Sequence, residues 1–119
     1  MKTGYDNLEI YQLALSLCIL VHKMTLNLPK YESYGEGSQI RRSAKSIAAN
    51  IVEGYGRRFY IKEYLKFLTY AHASCDETKV HLKIIFMTGL LKKEEFNDLT
   101  EQYLKLGRKI YKFIEALRK

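Results

Sequence analysis

Apolar residues recur at spacings of three and four along almost the whole chain, which is the period of an α-helix and not of a β-strand. Pro29 ends the first run of this pattern and Gly89 ends the third, because proline and glycine terminate helices. The segment Lys30–Gly37, which contains two glycines, is predicted to be a loop. The pattern therefore predicts four helices, at about residues 8–27, 38–55, 60–88 and 93–117.

The third predicted helix carries the clearest apolar stripe. From Ile61 to Ile85 its positions follow steps of three and four without a break, and the fourth helix repeats the pattern from Phe96 to Leu117. Short connections between the second, third and fourth helices favour antiparallel neighbours. We therefore predict an all-α fold in which residues 1–119 form a single domain, an up-down-up-down antiparallel four-helix bundle.

The first helix has more apolar residues than a bundle helix needs. About three apolar positions in seven are enough, yet residues 8–21 are apolar except at Glu9, Gln12 and Ser16. Either this helix lies at the centre of the bundle, or other copies of the chain cover it. Gly107, inside the fourth helix, indicates a close approach by another backbone. We favour a homo-oligomer, because so wide an exposed apolar face would promote aggregation.

The composition is that of an ordinary globular domain with a basic surplus. The 119 residues are 47% apolar and carry a net charge of +7, which favours an anionic partner, either nucleic acid or an acidic protein surface. The beginning of the chain lacks a signal-peptide pattern, and its apolar runs are too short to span a bilayer. Cys18 and Cys75 lie in apolar patterns, as buried reduced thiols do. We expect a cytoplasmic protein with no membrane partner.

The sequence lacks the motifs of common catalytic and metal sites. His22, His72 and His81 lie far apart, and none follows a glutamate by three positions, as the ligands of a di-iron bundle do. Neither Gly-x-Ser-x-Gly nor Cys-x-x-Cys occurs. We therefore expect a protein that is not an enzyme, with no catalytic residues, no metal and no cofactor.

Positive charge is concentrated on the second predicted helix and at the turn into the third. At this turn two arginines stand beside Phe59 and Tyr60, a combination of guanidinium groups and aromatic rings that suits RNA backbones and bases. The alternative is a solvated basic surface. The candidate nucleic-acid-binding residues are Arg41, Arg42, Lys45, Arg57, Arg58, Lys62 and Lys66.

Polar residues also follow the second helix at helical spacing, beside its apolar face. Their side chains are expected to bond either another helix of the same chain or another subunit. Glu53 and Arg57 are in addition an i, i+4 pair. The uncharged members and the one acid of this polar stripe are Gln39, Ser43, Ser46, Asn50 and Glu53.

The second helix also carries a resemblance. Ser38–Ser43, SQIRRS, and Ser46–Arg58, SIAANIVEGYGRR, resemble the signature of four-helix-bundle proteins encoded within 23S rRNA intervening sequences, sometimes labelled S23 ribosomal proteins. Leu8–Ala14 and the pattern Ala71-x-x-Ser74-x-x-Glu77 are similar to other parts of that family. His72 stands where the family commonly has arginine, which weakens one basic position of the third helix.

The resemblance implies a small all-α protein that assembles as a homopentamer. It further implies similarity to the accessory protein of diversity-generating retroelements, a basic pentameric barrel that partners a reverse transcriptase and nucleic acid. Under this resemblance Ser74 and Glu77 join the polar stripe as subunit or partner contacts.

The sequence thus leads to two hypotheses for the function. The first is a cytoplasmic oligomer that binds RNA or DNA mainly through electrostatic contacts with little sequence specificity, in association with rRNA or with a retroelement. The alternative is a protein-interaction scaffold or adaptor that has no direct role with nucleic acid.

Overall fold

The computed structural model describes residues 4–119, and all the regular elements in that range are helices. A single 3-10 turn, Gly4–Asn7, precedes the first α-helix. The α-helices are α1 (Glu9–Thr25), α2 (Lys30–Tyr34), α3 (Glu36–Gly56), α4 (Ile61–Met87) and α5 (Lys93–Arg118). The prediction of an all-α fold with four long helices is confirmed.

The prediction of a loop between the first two long helices is wrong. Most of Lys30–Gly37 is helical, because α2 occupies Lys30–Tyr34 and α3 begins at Glu36. Pro29 stands just before α2, where its missing N–H removes no helical hydrogen bond. Arg41 secures the far end of α2, since its Nη2 donates a hydrogen bond to the Ser33 carbonyl at 2.9 Å.

The long helices enclose one apolar core. Helix α3 packs against α1 and α4, and α5 also packs against α1 and α4. Contacts between α3 and α4 pair Glu36 with His81 and Ser46 with Ser74. Residue numbers therefore increase along α3 while those of the contacting residues on α4 decrease. Fully buried residues of all four helices meet in the centre, among them Leu17, Ile47, Leu68, Leu82, Leu106 and Ile110.

Helix α1 is buried along one side only. Its buried side chains repeat at steps of four and three from Ile10 to Met24. On its outer side Leu15 is 41% exposed and Ile19 is 48% exposed. Helix α1 is therefore not an enclosed central helix, and the first of the two explanations for its composition is wrong.

The two cysteines differ in their surroundings. Cys75 is buried between α4 and α5, where its thiol donates to the Tyr103 carbonyl at 3.2 Å, and burial raises its pKa to about 11. Cys18 is half-buried, and burial raises its pKa while the nearby Lys45 charge partly opposes the shift. Both are free thiols, but the predicted full burial holds for Cys75 alone. Over residues 4–119, no helix is long and apolar enough to cross a membrane.

Candidate nucleic-acid interface

The turn between α3 and α4 lies at one end of the bundle. Helix α3 ends at Gly56, and the Arg57 and Arg58 amides donate to the Gly54 and Tyr55 carbonyls, which closes the last turn. A further backbone hydrogen bond, from the Tyr60 N–H to the Arg57 carbonyl at 2.8 Å, directs the chain towards α4. All four residues from 57 to 60 are exposed. The turn is therefore fixed by its backbone and leaves its four side chains to solvent.

Arg58 contacts two aromatic rings. Its guanidinium carbon is 4.2 Å from the centre of the Tyr55 ring and 4.7 Å from the centre of the Phe59 ring. Its Nη1 also donates to the Tyr55 carbonyl at 3.1 Å. The rings and the carbonyl restrict the rotamers of Arg58, so that less conformational entropy remains to be lost when it binds an anion.

Arg57 is held in a similar way against α4. Its guanidinium carbon lies 4.6 Å from the centre of the Phe67 ring, and its Nη1 donates to the Glu53 carbonyl at 2.9 Å. The expected side-chain pair with Glu53 is therefore wrong, since the acceptor is the backbone oxygen. Each arginine spends one of its five N–H groups on a carbonyl, which leaves donors that a phosphate could accept.

Two lysines of α4 stand beside these arginines. Lys66 Nζ lies 3.5 Å from Glu63 Oε2, an exposed ion pair that contributes no more than about 1 kcal/mol and can open readily. Lys62 is exposed. We call the whole group the turn patch, which consists of Arg57, Arg58, Phe59, Tyr60, Lys62 and Lys66. Sequence reasoning missed its supporting rings, Tyr55 and Phe67, although Tyr55 precedes Arg58 by three helical positions.

The other predicted basic residues lie elsewhere. Arg42 and Lys45 are exposed on α3. At a helical rise of 1.5 Å per residue, Arg42 is about 20 Å from the turn patch. Arg41 is half-buried and committed to the Ser33 carbonyl. The seven predicted residues thus form two separate groups along the bundle, and the cation–ring contacts found between residues 4 and 119 belong to the group at the turn patch.

The uncharged part of the polar stripe forms a hydrogen-bonded ladder between α3 and α4. The Ser46 and Ser74 hydroxyls lie 2.9 Å apart, and Asn50 Nδ2 donates to the Ser46 carbonyl and hydroxyl. About one helical turn away on the same interface, Thr78 Oγ1 donates to Ser43 Oγ at 2.9 Å. Ser43 is buried there, so of the two expected kinds of contact it makes the one with another helix of the same chain. Thr78 escaped the sequence analysis because its spacing matches the apolar stripe of α4.

The remaining stripe residues are more open. Gln39 and Glu53 are exposed on α3. Glu77 Oε2 lies 3.5 Å from His81 Nε2, while the opposite ring nitrogen, Nδ1, lies 2.7 Å from Glu36 Oε2. His81 thus connects α4 to the first turn of α3 through the Glu36 carboxylate, and it also contacts Glu77 of its own helix. Sequence analysis offered no signal for this contact, because the Glu36–His81 pair spans 45 positions.

The chain matches the family model described as 23S rRNA-intervening sequence protein over residues 6–112. It belongs to this family. The match contains the whole turn patch and the whole polar ladder, so the features described above lie within the family's own extent. The resemblance seen in the α3 sequence is thereby confirmed.

A solved structure supports the fold of this family member. A protein of unknown function from the S23 ribosomal protein family of Bacteroides thetaiotaomicron matches it with a TM-score of 0.80 and 19% sequence identity. The match covers 89% of this chain and 95% of that chain. No curated protein matches the chain. At 19% identity the structural likeness shows a shared fold.

A groove of about 420 Å³ lies between α4 and α5. Gly107 lies in its lining, and a Cβ there would meet Cys75 Sγ at an ordinary distance of 3.7 Å. The chain's own packing therefore does not require glycine at this position. No cluster of three or more His, Cys, Asp or Glu side chains that could hold a metal ion occurs between residues 4 and 119.

Proposed function

We propose that this family member is a nucleic-acid-binding protein without enzymatic activity, and that the turn patch is its main binding surface. The observation that carries the proposal is that two arginines of the turn patch are held in place without a carboxylate partner in the described part of the chain. Arg57 and Arg58 are held by backbone carbonyls and aromatic rings. Within residues 4–119, no carboxylate lies at ion-pair distance from either guanidinium.

Such arginines suit the phosphate backbone of a nucleic acid. Their positive charge is not neutralised by a neighbouring acid, and their free N–H groups are arranged as a planar fork that fits phosphate oxygens. Lys62 and Lys66 would add two charges beside them. Contacts of this kind position a nucleic acid but do not specify its sequence, so the expected binding is electrostatic and tolerant of sequence.

The proposal includes an antiparallel up-down-up-down bundle that assembles into a ring of identical subunits. The residue pairing along α3 and α4 supports the antiparallel order. The exposed apolar side of α1 supports self-association. The family resemblance favours five copies, and a ring would repeat the turn patch and raise affinity by avidity.

The same resemblance favours a reverse transcriptase as a protein partner, and rRNA or a retroelement as the setting. Free Cys18 and Cys75 fit a reducing compartment, so the proposal places the protein in the cytoplasm.

The test is a fluorescence-anisotropy titration of structured RNA, single-stranded RNA and duplex DNA over a series of salt concentrations. Log affinity should fall linearly with log salt, with a slope of about −0.7 to −0.9 per phosphate contact. The double variant R57E/R58E should weaken binding to every ligand and flatten the slope. Its matched control is K92E/K93E, which makes the same change in charge at exposed positions by the start of α5.

The two outcomes separate the proposal from its alternative. Equal effects of R57E/R58E and K92E/K93E would contradict a specific role for the turn patch. If the wild-type protein does not bind any of the ligands at about 50 mM salt, where electrostatic binding is strong, the nucleic-acid proposal fails. The protein would then be a scaffold or adaptor, for which the exposed apolar side of α1 is the favouring observation.

A further inference from the structure

Phe59 and Tyr60 are the most unusual part of the turn patch. They are 83% and 73% exposed, and both lie in the four residues that connect α3 to α4. The turn is held by backbone hydrogen bonds, which require no particular side chain at these two positions. Exposed rings do not contribute to the core, so the fold gives no reason for two consecutive aromatic residues here.

The Phe59 ring packs against the Arg58 guanidinium and forms a short stack with it. The guanidinium carbon lies 4.7 Å from the centre of the Phe59 ring and 4.2 Å from the centre of the Tyr55 ring. Arg58 supports one face of Phe59, and the high exposure of Phe59 leaves the other face open. A planar aromatic group could extend this stack by one layer.

The surrounding charges favour a nucleobase as this planar group. Arg57 and Lys66 both pack on the Phe67 ring, and the exposed Lys62 follows Tyr60 by two positions. Three further cations are therefore near the turn, where they could contact the phosphates on either side of a stacked base. All the cation–ring contacts found between residues 4 and 119 lie at this turn. A second exposed ring pair, Tyr31 and Tyr34 of α2, lies at the other end of the bundle, where the part of the chain from residue 4 to 119 shows no cation–ring contact.

The geometry also favours unpaired nucleotides over a duplex. In a double helix both faces of each base are covered by its neighbours, whereas single strands and loops expose them. Proteins that bind single strands combine a basic surface with aromatic side chains on which the bases stack. A short turn that projects two rings fits this second mode.

We infer that the turn patch binds single-stranded nucleic acid by stacking unpaired bases on Phe59 and Tyr60. This inference rests on the proposed function, because it assigns the ligand class of the same site. It predicts that the protein prefers a single strand to a duplex of the same length, and that the preference comes from the two rings and not from the charges.

The experiment compares three probes by fluorescence anisotropy at one salt concentration. They are a single-stranded oligonucleotide, an abasic strand of the same length and charge, and a duplex. The wild-type protein should bind the single strand at least about fivefold more tightly than the abasic strand, since each stacked base contributes about 1–3 kcal/mol. F59A/Y60A should bind the two strands alike, and it should lose less affinity for the abasic strand than for the single strand, because Arg58 keeps its charge when it loses the Phe59 ring.

Two further variants make the comparison specific. Y31A/Y34A removes the other exposed ring pair, and it should retain the wild-type preference. F59L/Y60L keeps apolar side chains without aromatic rings, and it should lose the preference as F59A/Y60A does. The assembly state of every variant is measured by sedimentation at the concentration of the titration.

The failure of this inference and that of the proposed function are distinguishable. If the wild-type protein binds all three probes equally and F59A/Y60A changes nothing, stacking is wrong while phosphate binding stands. If F59L/Y60L retains the full preference, an apolar contact and not stacking is responsible, and the inference is also overturned. Absence of binding to every probe overturns the proposed function itself.

Discussion

The hydroxyl oxygens of Ser46 on α3 and Ser74 on α4 lie 2.9 Å apart, near the middle of the interface between the two helices. Asn50 Nδ2 donates to Ser46 Oγ at 3.0 Å, which leaves the Ser46 hydroxyl free to donate across the interface. Two helices that could have packed through apolar residues alone are therefore joined by a polar contact. Hydrogen bonds need a defined geometry, so this contact fixes the relative position of α3 and α4 along their axes.

The first prediction concerns this contact. S46A and S74A should each lower the free energy of unfolding by about 1 kcal/mol, because each leaves a half-buried polar group without its partner. The double variant should lose less than the sum, with a coupling of about 0.5–1 kcal/mol. Urea unfolding measures all three, and S16A on the exposed side of α1 is the control. Strict additivity would mean that the hydroxyl contact contributes nothing.

Much of the fold follows from the sequence for a simple reason. The four long helices carry their apolar residues at a regular period over many turns, and such a signal survives local exceptions. Helix α2 has only five residues, fewer than the window over which a period can be recognised. Its formation depends on Pro29 before it and on Arg41, which reaches back from α3 to the Ser33 carbonyl.

The candidate site was predictable only in part. Arg57 to Tyr60 are adjacent in the sequence, so their mixture of charge and aromatic rings was visible there. The support of Arg57 by Phe67 depends on the packing of α3 against α4, which a linear pattern does not contain. The same holds for Glu36 and His81, whose contact joins distant parts of the chain. Spacing assigns a residue to a helix face but does not identify its partner.

The second prediction concerns the close approach of α3 and α4 at Gly54. A Cβ at this position would lie 3.1 Å from Phe67 Cβ and 3.1 Å from Tyr64 Cδ1. Phe67 Cβ is fixed to the backbone of α4 and cannot rotate away. G54A should therefore destabilise the protein by about 1–3 kcal/mol.

Gly56 offers a matched control one half-turn further along. A Cβ there would meet no atom within 4 Å, so G56A should be neutral or stabilise the end of α3 by up to about 1 kcal/mol. Thermal unfolding followed by circular dichroism distinguishes the two variants. Equal melting temperatures for G54A and G56A would contradict the close approach of the helices.

The third prediction concerns the Cys75 thiol at alkaline pH. Its pKa rises from the ordinary value of 9.0 to about 11 in the folded protein, mainly because burial disfavours the thiolate. The unfolded chain therefore loses this proton first as pH increases. The stabilising effect is complete below pH 9 and is lost between pH 9 and about 11, where the free energy of unfolding should fall by about 2 kcal/mol.

Two measurements check this behaviour. C75A should flatten the decrease in unfolding free energy between pH 9 and 11, whereas C18A, at a half-buried position, should change it less. In the native protein at neutral pH a thiol reagent should modify Cys18 before Cys75, and unfolding in urea should make both react. Rapid native labelling of Cys75 would contradict its burial between α4 and α5.

The last prediction concerns assembly through α1. Leu15 and Ile19 are one helical turn apart on its outer side, and both are exposed in the single chain. If this side is a subunit interface, sedimentation equilibrium at micromolar concentration should give a multiple of 14.0 kDa, with five copies favoured by the family resemblance. L15E/I19E should lower the mass towards that of one chain while the helical circular dichroism persists, because charge on the outer side opposes association but not the bundle core. The control Y31E/Y34E places the same charges on exposed residues of α2 and should leave the mass unchanged. A wild-type monomer, or an L15E/I19E variant with the same mass as the wild-type assembly, would show that α1 is not the subunit interface. A wild-type monomer would also contradict the avidity expected from repeated turn patches.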